Sequence, residues 1–173
     1  MHEEISRRLF DALVGKPIIG NAFRGTLVEA IIAEALEPTW RWCADGWGSF
    51  DFEGPNGIGL EIKQSAARQS WHTGDCKPCT PRFDIAERTG YWTDTSKWVE
   101  RPGRAAAIYV FAYHPIFDAA VADHRDPLQW EFFVVPAKAL PAQKSIGMAG
   151  VRSLAPPVGF DKLLTAVEAC RLR

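Results

Sequence analysis

Three residues in the stretch from Trp47 to Lys63, WGSFDFEGPNGIGLEIK, have the types and spacing to work on a hard metal ion: Asp51, Glu61 and Lys63. If the two carboxylates sit side by side, their mutual repulsion calls for a compensating charge. A divalent cation that prefers oxygen ligands, Mg²⁺ above all, is the natural candidate. Lys63, two residues past Glu61 on the same side of an extended chain, adds a cation beside them.

The element that must hold this cluster is a β-hairpin. In its first arm Phe50 and Phe52 alternate with Ser49, Asp51 and Glu53; in its second, Ile58, Leu60 and Ile62 alternate with Glu61 and Lys63. Between the arms lies Gly54-Pro55-Asn56-Gly57. Pro suits the second position of a type I turn and Gly57 the left-handed residue after it, which predicts a three-residue loop with a G1 bulge. Pairing Gly54 with Ile58 then puts Asp51 opposite Glu61, Phe52 opposite Leu60 and Phe50 opposite Ile62. A slip by one residue would set Phe50 beside Glu61 and mix the faces, which the hydrophobic pattern rejects. The register predicts Asp51 and Glu61 as cross-strand neighbours with Cβ atoms about 5 Å apart.

Asp51 followed ten residues later by Glu61-Ile62-Lys63 resembles the PD-(D/E)XK nuclease superfamily, the restriction-endonuclease-like fold. The resemblance runs from Glu29 to Gln69 and departs at Phe50, where the family pattern has Pro. It implies a Mg²⁺-dependent nuclease, with Mn²⁺ as substitute, that hydrolyses phosphodiester bonds, in DNA by preference, to a 5′-phosphate and a 3′-hydroxyl. Asp51, Glu61 and the carbonyl of Ile62 would hold the metal, and Lys63 would orient the attacking water. Glu29, on the helix before the hairpin, would complete the site. Gln64, just past the lysine, is expected near metal or phosphate, and Arg68 and Gln69 are further candidate phosphate contacts. All three read equally well as a solvated turn.

The competing account of Glu29 is local: Thr26-Leu27-Val28-Glu29 fits a capping box if the helix begins at Thr26, whereas a start near Ala22 frees the carboxylate. Trp40, Trp42 and Trp47 flank the hairpin and are expected to pack rather than stack on bases. Two rival functions stand beside the nuclease: a catalytically silent nucleic-acid-binding or complex-forming module of the same fold, and a zinc-stabilised interaction domain. The second rests on His72, Cys76 and Cys79, with Cys43 as a fourth ligand. Reduced thiols in a loop are the simpler account of that C-x-x-C, since no second close pair accompanies it.

The bounds agree with a single domain over 1–173. The 173 residues suffice for a full core, with 47% hydrophobic and 24% charged residues. No apolar run approaches a membrane span and MHEEISRRLF is not a signal sequence, so a cytoplasmic location without membrane partners is the default expectation. The net charge of −1 gives no global basic footprint, so a nucleic-acid partner needs a local positive patch. A homodimer is left open.

Along the chain, Glu3–Val14 reads as a helix with Ile5, Leu9, Phe10 and Leu13 on its inner face. A second helix starts between Ala22 and Thr26 and runs to Leu36, with Val28, Ile31 and Ile32 inward. Residues 73–104 form a polar excursion, with Arg82–Ala86 a candidate edge strand. It interleaves Arg82, Arg88, Lys97, Arg101 and Arg104 with Tyr91, Trp92 and Trp98, a mixture suited to a nucleic-acid groove, although Asp84 and Asp94 dilute the charge. Ala105–Tyr113 reads as a central buried strand and Trp130–Val135 as another. His114 at the strand end is expected to be structural. A short helix over Ala137–Leu140 and a last helix over Phe160–Leu172 follow. The order predicts an α/β or α+β domain: one mixed β-sheet flanked by helices.

Overall fold

A computed structural model describes residues 1–44, 48–92 and 97–172; Trp47 and Asp94, named above, lie outside the described residues. The chain forms a mixed α+β domain around a five-stranded sheet. Helix α1 (His2–Val14) and helix α2 (Asn21–Leu36) precede strands β1 (Arg41–Trp42), β2 (Phe52–Glu53) and β3 (Gly59–Ala66). Two short ribbons are built from β4 (Arg82–Asp84), β5 (Arg88–Trp92) and β6 (Trp98–Gly103), with β9 (Ser145–Gly147) completing the first. Strands β7 (Ile108–His114) and β8 (Glu131–Pro136) return to the main sheet, and helices α3 (Met148–Leu154) and α4 (Leu163–Arg171) close the chain.

The sheet order is β1-β2-β3-β7-β8, so β3 is the central strand and β7, expected there, lies one place out. The β3–β7 pair is parallel and the others antiparallel. Period-2 alternation divides the sheet into two cores. Phe52, Leu60, Ile62, Val110 and Phe132 face α2 and α4; Tyr109, Phe111, Phe133 and Val135 face the β4–β9 ribbon and α3. Each fully buried apolar side chain contributes about 1.5–3 kcal/mol, so a one-residue slip of β3, which would take Leu60 and Ile62 out of the first core and turn Glu61 and Lys63 into it, costs several times what a hydrogen bond contributes. Phe52 pairs with Leu60 and Glu53 with Gly59, the predicted register.

Three expectations fail here. Helix α1 forms, yet none of its residues is buried, and Ile5, Leu9 and Phe10 face solvent. The turn differs in detail: Asn56 as well as Gly57 has positive φ, where a type I turn requires it only of Gly57. Phe50 does not share a face with Phe52. It packs with the second core, its ring lying across Gly59 so closely that a Cβ there would meet it at 2.3 Å. The ladder therefore stops at Phe52 instead of running on through Phe50. The excursion is also more ordered than a loop: β4 pairs with β9, and β5 with β6. No described helix is long and apolar enough to cross a membrane.

Candidate functional site

The early end of β2 creates the site. In the register observed, Ile62 would give its N–H to the carbonyl of Phe50 if the ladder continued. Instead the chain turns away and the carboxylate of Asp51 takes that N–H, with Oδ2 2.6 Å from Ile62 N. Asp51 is thus held against the edge of β3 by its side chain, while its own N–H reaches Leu60 O at 3.0 Å. The predicted backbone pairing of Asp51 with Glu61 does not form, but both side chains line one cleft together with Lys63. In an extended strand a residue's N–H and C=O point to the same side, so the carbonyl of Ile62 faces the Asp51 side of β3 as well.

Helix α2 supplies Glu29. The helix starts at Asn21 with Gly20 as its N-cap, a full turn before Thr26, so the capping box does not form. Glu29 is half-buried, lines the same cleft, and accepts a hydrogen bond from Trp42 Nε1 at 3.1 Å. Trp42 packs on the first core and Trp40 is fully buried, donating to Glu168 at 2.8 Å; both are packing residues, as expected.

The electrostatics are those of carboxylates crowded out of water. Burial, then the charge of Glu61, pushes the Asp51 carboxyl up to about 7; Glu29 adds to the rise, while the Ile62 N–H and Lys63 oppose it. Lys63 Nζ is paired with Glu61 Oε1. Asp51 Oδ2, Glu61 Oε1 and Glu29 Oε2 are thus engaged, and the second oxygen of each carboxylate has no hydrogen bond among the described residues. These are hard oxygen donors of the kind Mg²⁺ takes. Among the described residues, however, no three His, Cys, Asp or Glu side chains are already gathered as a metal-holding group. The Lys63–Glu61 pair occupies part of that space.

The coupling has a direct test. Glu29→Gln keeps an oxygen for Trp42 Nε1 and removes one of the charges acting on Asp51. The Asp51 titration midpoint, followed by carboxyl ¹³C NMR, should fall; an unchanged midpoint would show that Glu29 is electrostatically remote.

The cleft, of about 620 Å³, is larger than the hairpin alone could make. Its floor includes Tyr109, paired with Glu61 across the parallel ladder. Burial and the nearby Glu61 charge push the Tyr109 hydroxyl up to about 12. The far wall is the excursion: Asp84, Arg88, Arg101 and Arg104 line it, with Trp92 and Trp98. Tyr109 and Asp84 were not legible as site residues, because only the β3–β7 pairing and the folding back of the excursion bring them there.

Gln64, Arg68 and Gln69 do not line the cleft. Arg24 of α2, 1% exposed, donates to Gln64 Oε1 at 2.6 Å and to Gln69 Oε1 at 2.9 Å. Arg68 donates to the carbonyls of Phe117 and His72 and lies over the Phe117 ring. Gln64 thus lies in β3 and Arg68 and Gln69 in the turn after it, all three tied to neighbouring chain outside the cleft that holds the carboxylates. His72 Nε2 and Cys79 Sγ approach to 3.5 Å, but neither Cys76 nor Cys43 joins them in a metal-holding group. His114 is fully buried against His124 and Trp130 and is structural.

No family model matches the chain, and neither a curated protein nor a solved structure does.

Proposed function

We propose that the chain is a divalent-metal-dependent nuclease acting on DNA, with a mixed sheet of the restriction-endonuclease-like kind. The observation that carries this reading is Asp51. A carboxylate pinned against β3, raised in pKa by burial and by two like-charged neighbours, lies in a cleft that also holds a lysine and three arginines. Structural carboxylates are ordinarily satisfied by cations; a mutually repelling set beside an open cleft is arranged for a ligand that brings positive charge.

Asp51, Glu61 and Glu29 would hold the metal, with the carbonyl of Ile62 on the same side. When bound, Mg²⁺ supplies Lewis-acid polarisation of a phosphodiester and acidifies water. Lys63 does the rest of the work nearest the reacting atoms. With a metal on Glu61, the Lys63 ammonium would be available to orient the water and to stabilise charge developing on phosphate oxygens. The arginines of the far wall place positive charge where the net charge of the chain supplies none.

The experiment is incubation of the protein with supercoiled plasmid, linear duplex and single-stranded DNA in Mg²⁺, in Mn²⁺ and in EDTA. Cleavage with either metal and none in EDTA is the expected result. Binding without cleavage would return the chain to a silent nucleic-acid-binding module. Stoichiometric zinc with neither binding nor cleavage would favour the interaction domain around His72 and Cys79.

A further inference from the structure

The β5–β6 ribbon carries features that the carboxylates do not require. Trp92 and Trp98 face each other across it, ring centroids 5.4 Å apart at an interplanar angle of 63°, and remain 46% and 43% exposed. Trp98 lies across Gly90: a Cβ at that position would fall 2.3 Å from the Val99 carbonyl oxygen and 2.7 Å from the Trp98 ring, so glycine lets both the paired strand and the indole close on this point.

The same ribbon holds a bulge. Between the Arg88–Gly103 and Gly90–Glu100 pairs, Thr89 faces both Arg101 and Pro102. Such a bulge re-aims a side chain, and Arg101 lines the cleft. The side chain of Arg101 has no hydrogen bond or ion pair among the described residues. The other two guanidiniums are committed: Arg88 to Asp84 at 2.6 Å, and Arg104 to the carbonyls of Ile85 and Pro141 at 2.9 and 2.8 Å. Among the described residues the wall therefore offers one free guanidinium and two half-exposed indoles beside the carboxylates.

We propose that this ribbon is a clamp for an unpaired nucleic-acid strand, with a base stacked on the indole of Trp98 and a neighbouring phosphate on Arg101. The inference rests on the nuclease reading and narrows its substrate to single strands or frayed ends. In a duplex the π-faces of the bases are hidden in the stack, so an indole reaches only a base that is unpaired. A cleft of about 620 Å³ has the size of a small-ligand site, with room for a nucleotide or two rather than the cross-section of a helix. One free guanidinium among the described residues of the cleft is also a small phosphate footprint, poorly matched to the many backbone contacts on which duplex binding depends.

The test is fluorescence anisotropy with a labelled oligothymidylate and a labelled duplex of equal length, in EDTA so that nothing is cleaved. The protein should bind the single strand more tightly. Trp98→Ala should weaken that binding about ten- to a hundredfold, and Trp98→Phe should recover part of it. Gly90→Ala should weaken it although both indoles remain. Arg101→Ala should reduce the slope of log affinity against log salt by about 0.7. Circular dichroism melts of each variant separate loss of the clamp from loss of the fold, and Arg101→Ala tests the proposal even if Trp98→Ala does not fold. A preference for duplex, or wild-type binding by both Trp98→Ala and Arg101→Ala, would overturn the clamp. If the wild type then still cleaves duplex DNA with Mg²⁺, the nuclease reading survives; if it binds neither strand form, both fall.

Discussion

Lys63→Ala should lower cleavage by about 10²–10³-fold, the usual loss when one preorganised charge is removed from a transition state, while divalent ions still bind. The Lys63–Glu61 ion pair sharpens this expectation. In the metal-free protein the ammonium competes with a metal for Glu61. Removing it leaves Asp51, Glu61 and Glu29 with less opposing charge nearby, so Mn²⁺ affinity measured by calorimetric titration should be undiminished or higher. Affinity lost together with activity would mean that Lys63 builds the metal site instead of acting on water.

The second large effect is a change of sign in stability. Asp51→Asn retains an oxygen for the Ile62 N–H and removes the charge. Most substitutions destabilise; this one should not. The Asp51 carboxyl is raised from an ordinary 3.8 to about 7 in the folded protein, so between those values the native state binds more protons than the unfolded state. Stability of the metal-free wild type therefore falls as pH rises from about 4 to about 7, and the full cost of the ionised carboxylate is present above that. At pH 8 the metal-free variant should be more stable than wild type by on the order of 1 kcal/mol or more, and near pH 4 the gap should close. Mn²⁺ should raise the melting temperature of the wild type and leave the variant almost unchanged, because only the former binds it tightly. The variant should be inactive. An Asp51→Asn protein that melts well below wild type at pH 8 without metal would make Asp51 a structural hydrogen-bond acceptor and remove the physical basis of the site.

The hairpin was legible because a period of two leaves little freedom: once Phe52, Leu60 and Ile62 must be buried, Glu61 and Lys63 fall on the other face and the register follows. Glu29 was legible because helical spacing set it beside a buried stripe. What was missed depended on single long-range contacts. Nothing local marks Gly59 as the seat of the Phe50 ring, and with that contact the ladder stops at Phe52, short of Asp51. Nothing in α2 marks Arg24 as buried, yet it holds the side chains of Gln64 and Gln69, which do not line the cleft. Amphipathicity alone promised α1 a partner, whereas its apolar side chains stay open to solvent.

The topology has a consequence for how such a protein can change. Strands β3 and β7 are neighbours, and everything from Ala66 to Ile108 is one connection between them. Loop-closure entropy grows only with the logarithm of length; doubling such a connection costs about 0.6 kcal/mol. The bond from Arg104 Nε to Ile85 O already ties together the two ends from which the β5–β6 ribbon springs. The ribbon can therefore lengthen, shorten or be exchanged at little thermodynamic cost to the sheet, while Asp51, Glu61 and Lys63, fixed by a short hairpin, tolerate no insertion. The carboxylate cluster is tethered to local sequence, and the wall that faces it to a segment that is almost free to vary.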